Sequence, residues 1–166
     1  MANVYQVLGV QGADYPDTGF PAWTRKTGTT RAVSGLAYDA SSTETCYIKG
    51  KWVNYGSGTC TVDIDWWSDS ASTNNVVWSV QFVAITPGDA TSMVTKAWDT
   101  KASFTDANGG QMYLNRAPVA VPESGLDGAA SGDFFSIAVY REAANGSDDL
   151  AADAVIEGLR LTYSDT

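Results

Sequence analysis

Residues 44 to 67, ETCYIKGKWVNYGSGTCTVDIDWW, constrain the fold more than any other stretch of this chain. Cys46, Ile48, Gly50 and Trp52 alternate with Thr45, Tyr47, Lys49 and Lys51. After a break rich in Gly, Ser and Asn, Cys60, Val62, Ile64 and Trp66 alternate with Thr61, Asp63, Asp65 and Trp67. A period of two places successive side chains on opposite faces of a strand, one buried and one wet. Two such runs around a polar break have the pattern of an antiparallel hairpin. With Trp52 opposite Cys60, every even-numbered residue of both runs falls on one face, so the register is self-consistent and predicts an all-β fold.

That register carries further expectations. Cys46 and Cys60 come six pairs apart, about 20 Å at 3.3 Å per residue, beyond disulfide reach, and are expected as small buried thiols with no redox or metal role. Asp63 and Asp65 share the outward face about 7 Å apart, a spacing open to a glycosidase carboxylate pair. Lys49 and Lys51 lie opposite on the same face, so a solvated, charge-paired surface is the simpler expectation. Adjacent Trp66 and Trp67 must point opposite ways. Trp66 joins the core set, leaving Tyr47 and Trp67 outward as candidate aromatic contacts for a sugar ring or a protein surface.

Residues 1 to 26 differ in character from the rest of the chain. Val4, Tyr5, Val7, Leu8 and Val10 lead into ADYPDTGFPAWTRK, where Pro16, Gly19 and Pro21 preclude a helix, yet Tyr15, Phe20 and Trp23 are too aromatic for a solvated linker. The segment is either docked on its own domain, with Val4 to Val10 as an edge strand, or an extended arm that packs on a neighbour. The second organisation, an extended N-terminal arm over 1–26 and a sandwich over 27–166, is the expectation. Further strands are expected at 29–38, with Gly35 as a bulge or crossing point, and at 76–87, where Trp78, Val80 and Phe82 face one way and Val77, Val83 and Ile85 the other, as in a strand covered on both sides. Residues 90–105 fit a short helix or a strand, with a strand from Lys96 to Thr105 favoured. Strands around Pro118, over FFSIAVYRE and over AVIEGLRLTY complete a count of about eight. Many short strands with turn signals between them point to a single-domain antiparallel β-sandwich of jelly-roll type or a related sandwich.

A chain of 166 residues suffices for one domain. Its net charge of -9 argues against a nucleic-acid partner. The charge is uneven: through Lys51 five basic residues meet four acidic ones, while the remainder has five against fifteen, so the N-terminal third best suits an acidic partner. The opening MANVYQVLGV has no basic segment before a long apolar run, and nothing approaches a membrane span, so synthesis in a cytoplasm and no membrane partner are expected. No His is present, which removes Ser-His-Asp and Cys-His nucleophiles and His-based zinc sites, and neither Gly-rich phosphate fingerprint occurs. Asp148, Asp149 and Asp153 form an acidic cluster without the DxDxDG spacing of a calcium loop, so a solvated turn is expected there. No catalytic residue, cofactor or metal is expected.

NNVVWSVQFVAI, followed by SGDFFSIAVYREAANGSDDLAADAVIEGLRL, resembles a recurring pattern of small β-sandwich proteins encoded among tailed-phage structural genes. There a strand of the type NVVWxVQF precedes GDxFxxxVYRxxxNxSD and a closing strand; the resemblance spans most of residues 44–163. It points to the small jelly-roll head decoration (cement) proteins of tailed bacteriophages. That resemblance implies a virion component on the capsid exterior, assembled in the host cytoplasm, a homotrimer whose partner is the major capsid protein. On this reading Tyr15, Phe20 and Trp23 bury against capsid or a sister subunit, and Arg25 and Lys26 meet carboxylates there. Fibre and receptor-binding proteins use similar sandwiches. A carbohydrate- or receptor-binding module with Tyr47 and Trp67 on glycan is therefore the competing expectation.

Overall fold

The computed structural model describes residues 2–165. Among them ten strands form two antiparallel sheets: β1 (Asn3–Gly9), β2 (Ala22–Thr27), β3 (Ala32–Tyr38), β4 (Glu44–Lys51), β5 (Cys60–Trp67), β6 (Asn75–Ile85), β7 (Ala102–Ala107), β8 (Asn115–Val121), β9 (Phe134–Arg141) and β10 (Ala154–Ser164). One sheet runs β2-β3-β10-β5-β8, with β1 also paired to β10; the other runs β4-β9-β6-β7. Between β3 and β10 every connection except β6 to β7 carries the chain from one sheet to the other. This is the winding of a jelly roll.

The winding overturns the hairpin. β4 pairs with β9, Cys46 opposite Val139, while β5 lies in the other sheet between β10 and β8. Yet Cys46, Ile48, Trp52, Cys60, Val62, Ile64 and Trp66 are all buried in one core. Two strands that face each other across a sandwich bury the same alternate residues as two strands side by side, so periodicity alone does not separate the cases. The connecting residues 52–59 hold buried Trp52 and Tyr55, with left-handed Asn54 (φ 53) and Gly58 (φ 85) bending the chain between the sheets. Cys46 and Cys60 are buried free thiols, kept apart by lying in opposite sheets rather than by distance along a ladder.

The N-terminal segment is laid along its own domain, the docked alternative, and does not extend as an arm. β1 pairs with β10 from Asn3–Ser164 to Gly9–Gly158, Val4 and Leu8 pack on the core, and Val10 is fully buried. Asp14 and Tyr47 exchange backbone bonds of 2.8 and 2.9 Å, and Thr45 N donates to Gly19 O at 2.8 Å. β2 pairs along its length with β3, so the boundary expected after residue 26 falls inside a strand.

Around the core, Trp52 stands 4.9 to 5.6 Å, centroid to centroid, from Tyr55, Phe82, Phe135 and Tyr163. β10 changes phase through a bulge between Ile156 and Gly158, turning Ala154 and Ile156, then Leu159, Leu161 and Tyr163, to the same interior. Across from it Gly35 allows close approach of β3, because a Cβ there would lie 2.1 Å from the Ile156 carbonyl oxygen. The crossing point expected at Gly35 is real, but the bulge is in the facing strand. β6 is covered on both sides: Val76, Trp78, Val80 and Phe82 are buried inward, and Val77, Ser79, Val83 and Ile85 are buried outward. The outer cover comes partly from residues 86–101. These form neither the favoured strand from Lys96 nor a helix; β7 starts only at Ala102.

Candidate functional site

The loop 86–101 builds the groove. Its C-terminal half is tied to the sheet edge to edge: Asp99 N donates to Phe82 O at 2.9 Å, and Gln81 Nε2 donates to Asp99 O at 2.7 Å. Lys96 Nζ is bound by the Ala84 carbonyl and lies 2.7 Å from Asp127 Oδ2. Asp127, in a left-handed turn (φ 55), accepts Ala84 N at 2.8 Å and donates its own N–H to Asp99 Oδ2 at 2.7 Å. These bonds fix residues 96–99 against the sheet.

That clamp delivers Trp98 onto Tyr47. Their rings stack with centroids 5.3 Å apart and an interplanar angle of 26°, although 51 residues separate them in the chain. Beside the stack lies an open groove of about 370 Å³ whose floor is Val83, Ile85, Phe134 and Ser136, and whose far wall carries Met93 and Val94. Met93 and Val94 are among the most exposed apolar side chains of the molecule, at 62% and 92%. At the β4 end Lys49 Nζ pairs with Asp14 Oδ2 at 2.7 Å. On the neighbouring strand Tyr140 donates its hydroxyl to Gln81 Oε1 at 2.8 Å under the Lys101 ammonium, 4.1 Å above its ring. Burial first, then the nearby Tyr47 and Glu142, pushes the Tyr140 phenol up to about 12. The arrangement offers a flat aromatic surface, an apolar floor and neutral or paired polar groups, the chemistry of a binding groove rather than of proton transfer.

Of the two outward aromatics expected, Tyr47 is placed at this groove and Trp67 is not. Trp67 lies on the outer face of the opposite sheet, 5% exposed, and its Nε1–H donates to Glu157 Oε2 at 3.0 Å. It lines two smaller cavities, of about 320 and 270 Å³, beneath Lys26 and Asp69 on one hand and Arg31 and Leu114 on the other. Its phase is outward as expected, but the ring is buried and lies away from Tyr47, flanked on its own sheet by Ala37 and Val155 on one side and by Val33, Met112 and Leu114 on the other. Trp98, the true partner of Tyr47, carried no signal of its own in the ambiguous stretch 90–105.

The carboxylates are each committed. Asp63 is buried and takes both Nε (2.9 Å) and a terminal nitrogen (2.5 Å) of Arg160, while Asp65 is bound bidentately by Arg116 at 2.6 and 2.9 Å. Charge pairing was expected, but with Lys49 and Lys51, which lie on the other sheet. Neither carboxylate is free for acid or base work, so the glycosidase pair is not formed. Asp148 is not solvated either: it forms a buried ion pair with Arg141, 0% and 1% exposed at the side chains, and Asp149 caps Asn75 N at 2.6 Å. Among the described residues no group of three or more Cys, Asp or Glu is placed to hold a metal ion.

The five residues expected to meet a partner stay at the surface. Tyr15 and Phe20 rest against each other, centroids 5.6 Å apart, and Trp23 is half exposed on β2. Lys26 pairs with Asp69, and Arg25 is exposed with no ion pair among the described residues.

No protein-family model matches the chain, and no curated protein matches its sequence. Solved structures do. CBM35 from Cellvibrio japonicus Abf62 is similar over 98% of this chain and 95% of its own, at 12% identity and a TM-score of 0.52. The CBM36-1 domain of a multidomain xylanase from the hindgut metagenome of Trinervitermes trinervoides aligns over 98% and 100%, at 10% identity and a TM-score of 0.49. Likeness at such identities is of fold: this chain is a jelly-roll β-sandwich of the architecture that the Cellvibrio domain also has.

Proposed function

We propose that this chain is a recognition module without catalytic activity that binds carbohydrate in the groove between residues 93–98 and β4. The observation that carries the reading is the Tyr47–Trp98 stack at the groove wall. A pyranose ring presents a patch of C–H groups and a rim of hydroxyls. Stacked aromatics take the first, while Ser136, Lys49 and Asp14 stand where the second would hydrogen-bond. The Cellvibrio neighbour, a CBM35, supports the reading through its shared fold. Glycan-array screening followed by calorimetry on the best binder tests it. Trp98→Ala should weaken binding about tenfold or more, on the order of 1.4 kcal/mol, with the fold intact by circular dichroism. An array without binders, or a binder indifferent to Trp98→Ala, refutes it.

A second reading is the virion decoration protein, a trimer on the outside of a phage head. Tyr15, Phe20 and Trp23 favour it, since their side chains stay outside the core although their backbone is docked. On that reading the contact with the major capsid protein is made by a folded edge, not a free arm. Co-sedimentation with undecorated shells tests it, and absence of binding to any shell sinks it.

A further inference from the structure

The edges of the two sheets are managed differently. β8 carries Pro118 in mid-strand, a residue with no N–H to offer, and packs beside β7 where the sheets meet. β4 is covered by the bonds from Asp14 and Gly19. β1 packs beside β4, and its Gln6 Nε2 bonds the Lys51 carbonyl at 3.0 Å. β2 has none of these protections. Its one edge pairs with β3, and no other backbone bond reaches it among the described residues. Only Thr24 of its six residues is even half-buried. By register Trp23 shares a face with core residue Leu36, but the facing sheet ends at β4, and Trp23 is left 51% exposed.

Charge says what fits there. Residues 18–38 hold Arg25, Lys26 and Arg31, three of the chain's ten cations, and not one carboxylate, in a molecule of net charge -9. The β2–β3 turn brings Arg31 back beside Lys26, where Gly28 N bonds Arg31 O at 2.9 Å. Asp69 answers Lys26, and Arg25 has no ion pair among the described residues. Pairing β2 with a second copy would bring six cations together, which like-charge repulsion opposes.

The geometry points to β2 as a docking strand that takes an extended acidic segment of another protein by strand addition. The backbone of the incoming segment bonds the open edge; on the face that Trp23 and Arg25 share, an apolar side chain covers Trp23 and a carboxylate two residues along meets Arg25, while Lys26 stands on the other face with Asp69. This surface is independent of the sugar groove and stands or falls separately.

The test uses a short capped peptide repeating Thr-Val-Thr-Glu, which sets Val and Glu on one face, with its Lys-for-Glu counterpart as control, and backbone hydrogen exchange of the whole chain as readout. The Glu peptide should slow exchange at residues 22–27 and the Lys peptide should not. Arg25→Glu, which breaks no ion pair, should weaken the Glu peptide about tenfold, as should Trp23→Ala. Added salt should weaken it too. Equal protection by both peptides overturns the proposal, as does protection at another edge or none at 22–27. Concentration-dependent protection of β2 without peptide would make a second copy the occupant and also overturns it.

Discussion

Replacing Arg141 by Met tests what holds the 142–153 loop to the sandwich. The Arg141 guanidinium is fully buried and makes five hydrogen bonds. Two go to Asp148, at 2.8 and 3.1 Å, and three to the carbonyls of Leu150 (2.5 Å), Ala152 (2.7 Å) and Tyr38 (3.3 Å). Without it Asp148 remains as a buried carboxylate whose other donor among the described residues is Val77 N at 3.0 Å, and three carbonyls lose the bond from Arg141. Breaking a buried ion pair from one side costs about 3–5 kcal/mol, because the charge left behind is uncompensated. For a domain of this size about 1 kcal/mol shifts Tm by roughly 2–4 °C, so Arg141→Met should melt about 6–20 °C lower. Asp148→Asn should cost a similar amount by stranding the guanidinium. The double variant should cost clearly less than the two single losses together, since it leaves no lone charge, but should not regain full stability because the carbonyl bonds from Arg141 stay lost. Urea melts at constant m-value give the three free energies. A single-variant loss below about 1 kcal/mol, or strict additivity in the double, would refute the assigned role.

Burial pushes the Cys46 thiol up to about 11 and the Cys60 thiol up to about 12, from an ordinary 9.0, the Tyr38 hydroxyl at 3.0 Å only partly offsetting this at Cys46. Both folded-state values are raised, so the stability they contribute is whole below about pH 9 and is lost as pH climbs towards 11–12, where the unfolded chain ionises first. The urea midpoint should therefore fall from pH 9 upward, and a thiol reagent at pH 8 should label neither cysteine until the protein unfolds; rapid native labelling would contradict this. Gly35→Ala should destabilise by about 3 kcal/mol, the upper end of overpacking, because the new methyl meets the rigid Ile156 carbonyl rather than a movable side chain. A thermal melt within 1–2 °C of the parent would show that β3 and β10 separate more easily than their ladder suggests.

Period-two alternation made the all-β class, the buried set of β4 and β5, and the double cover of β6 readable, because each depends only on which side of the local backbone is dry. It also placed Tyr47 outward. The hairpin had a local signal against it: residues 52–59 carry Trp52 and Tyr55, too many and too apolar for a tight turn. The N-terminal segment was open between docking and extension, and no local pattern decided it, since the face turned to the core holds Val4, Gln6 and Leu8 while apolar Tyr5 and Val7 point outward.

The sequence by itself determined faces. It set which residues of each strand are dry, and its lack of His removes Ser-His-Asp and Cys-His nucleophiles. Tertiary structure alone decided partners. Asp63 meets Arg160 across 97 positions rather than the nearby lysines, and Trp98 reaches Tyr47 only because Asp99, Asp127 and Lys96 pin the crossing loop. Trp67, outward by its phase, is buried by the residues that flank it. The physical reason is common to all three. A local pattern records whether a side chain meets water or core, whereas the identity of its neighbour depends on how the jelly roll distributes consecutive strands between two sheets.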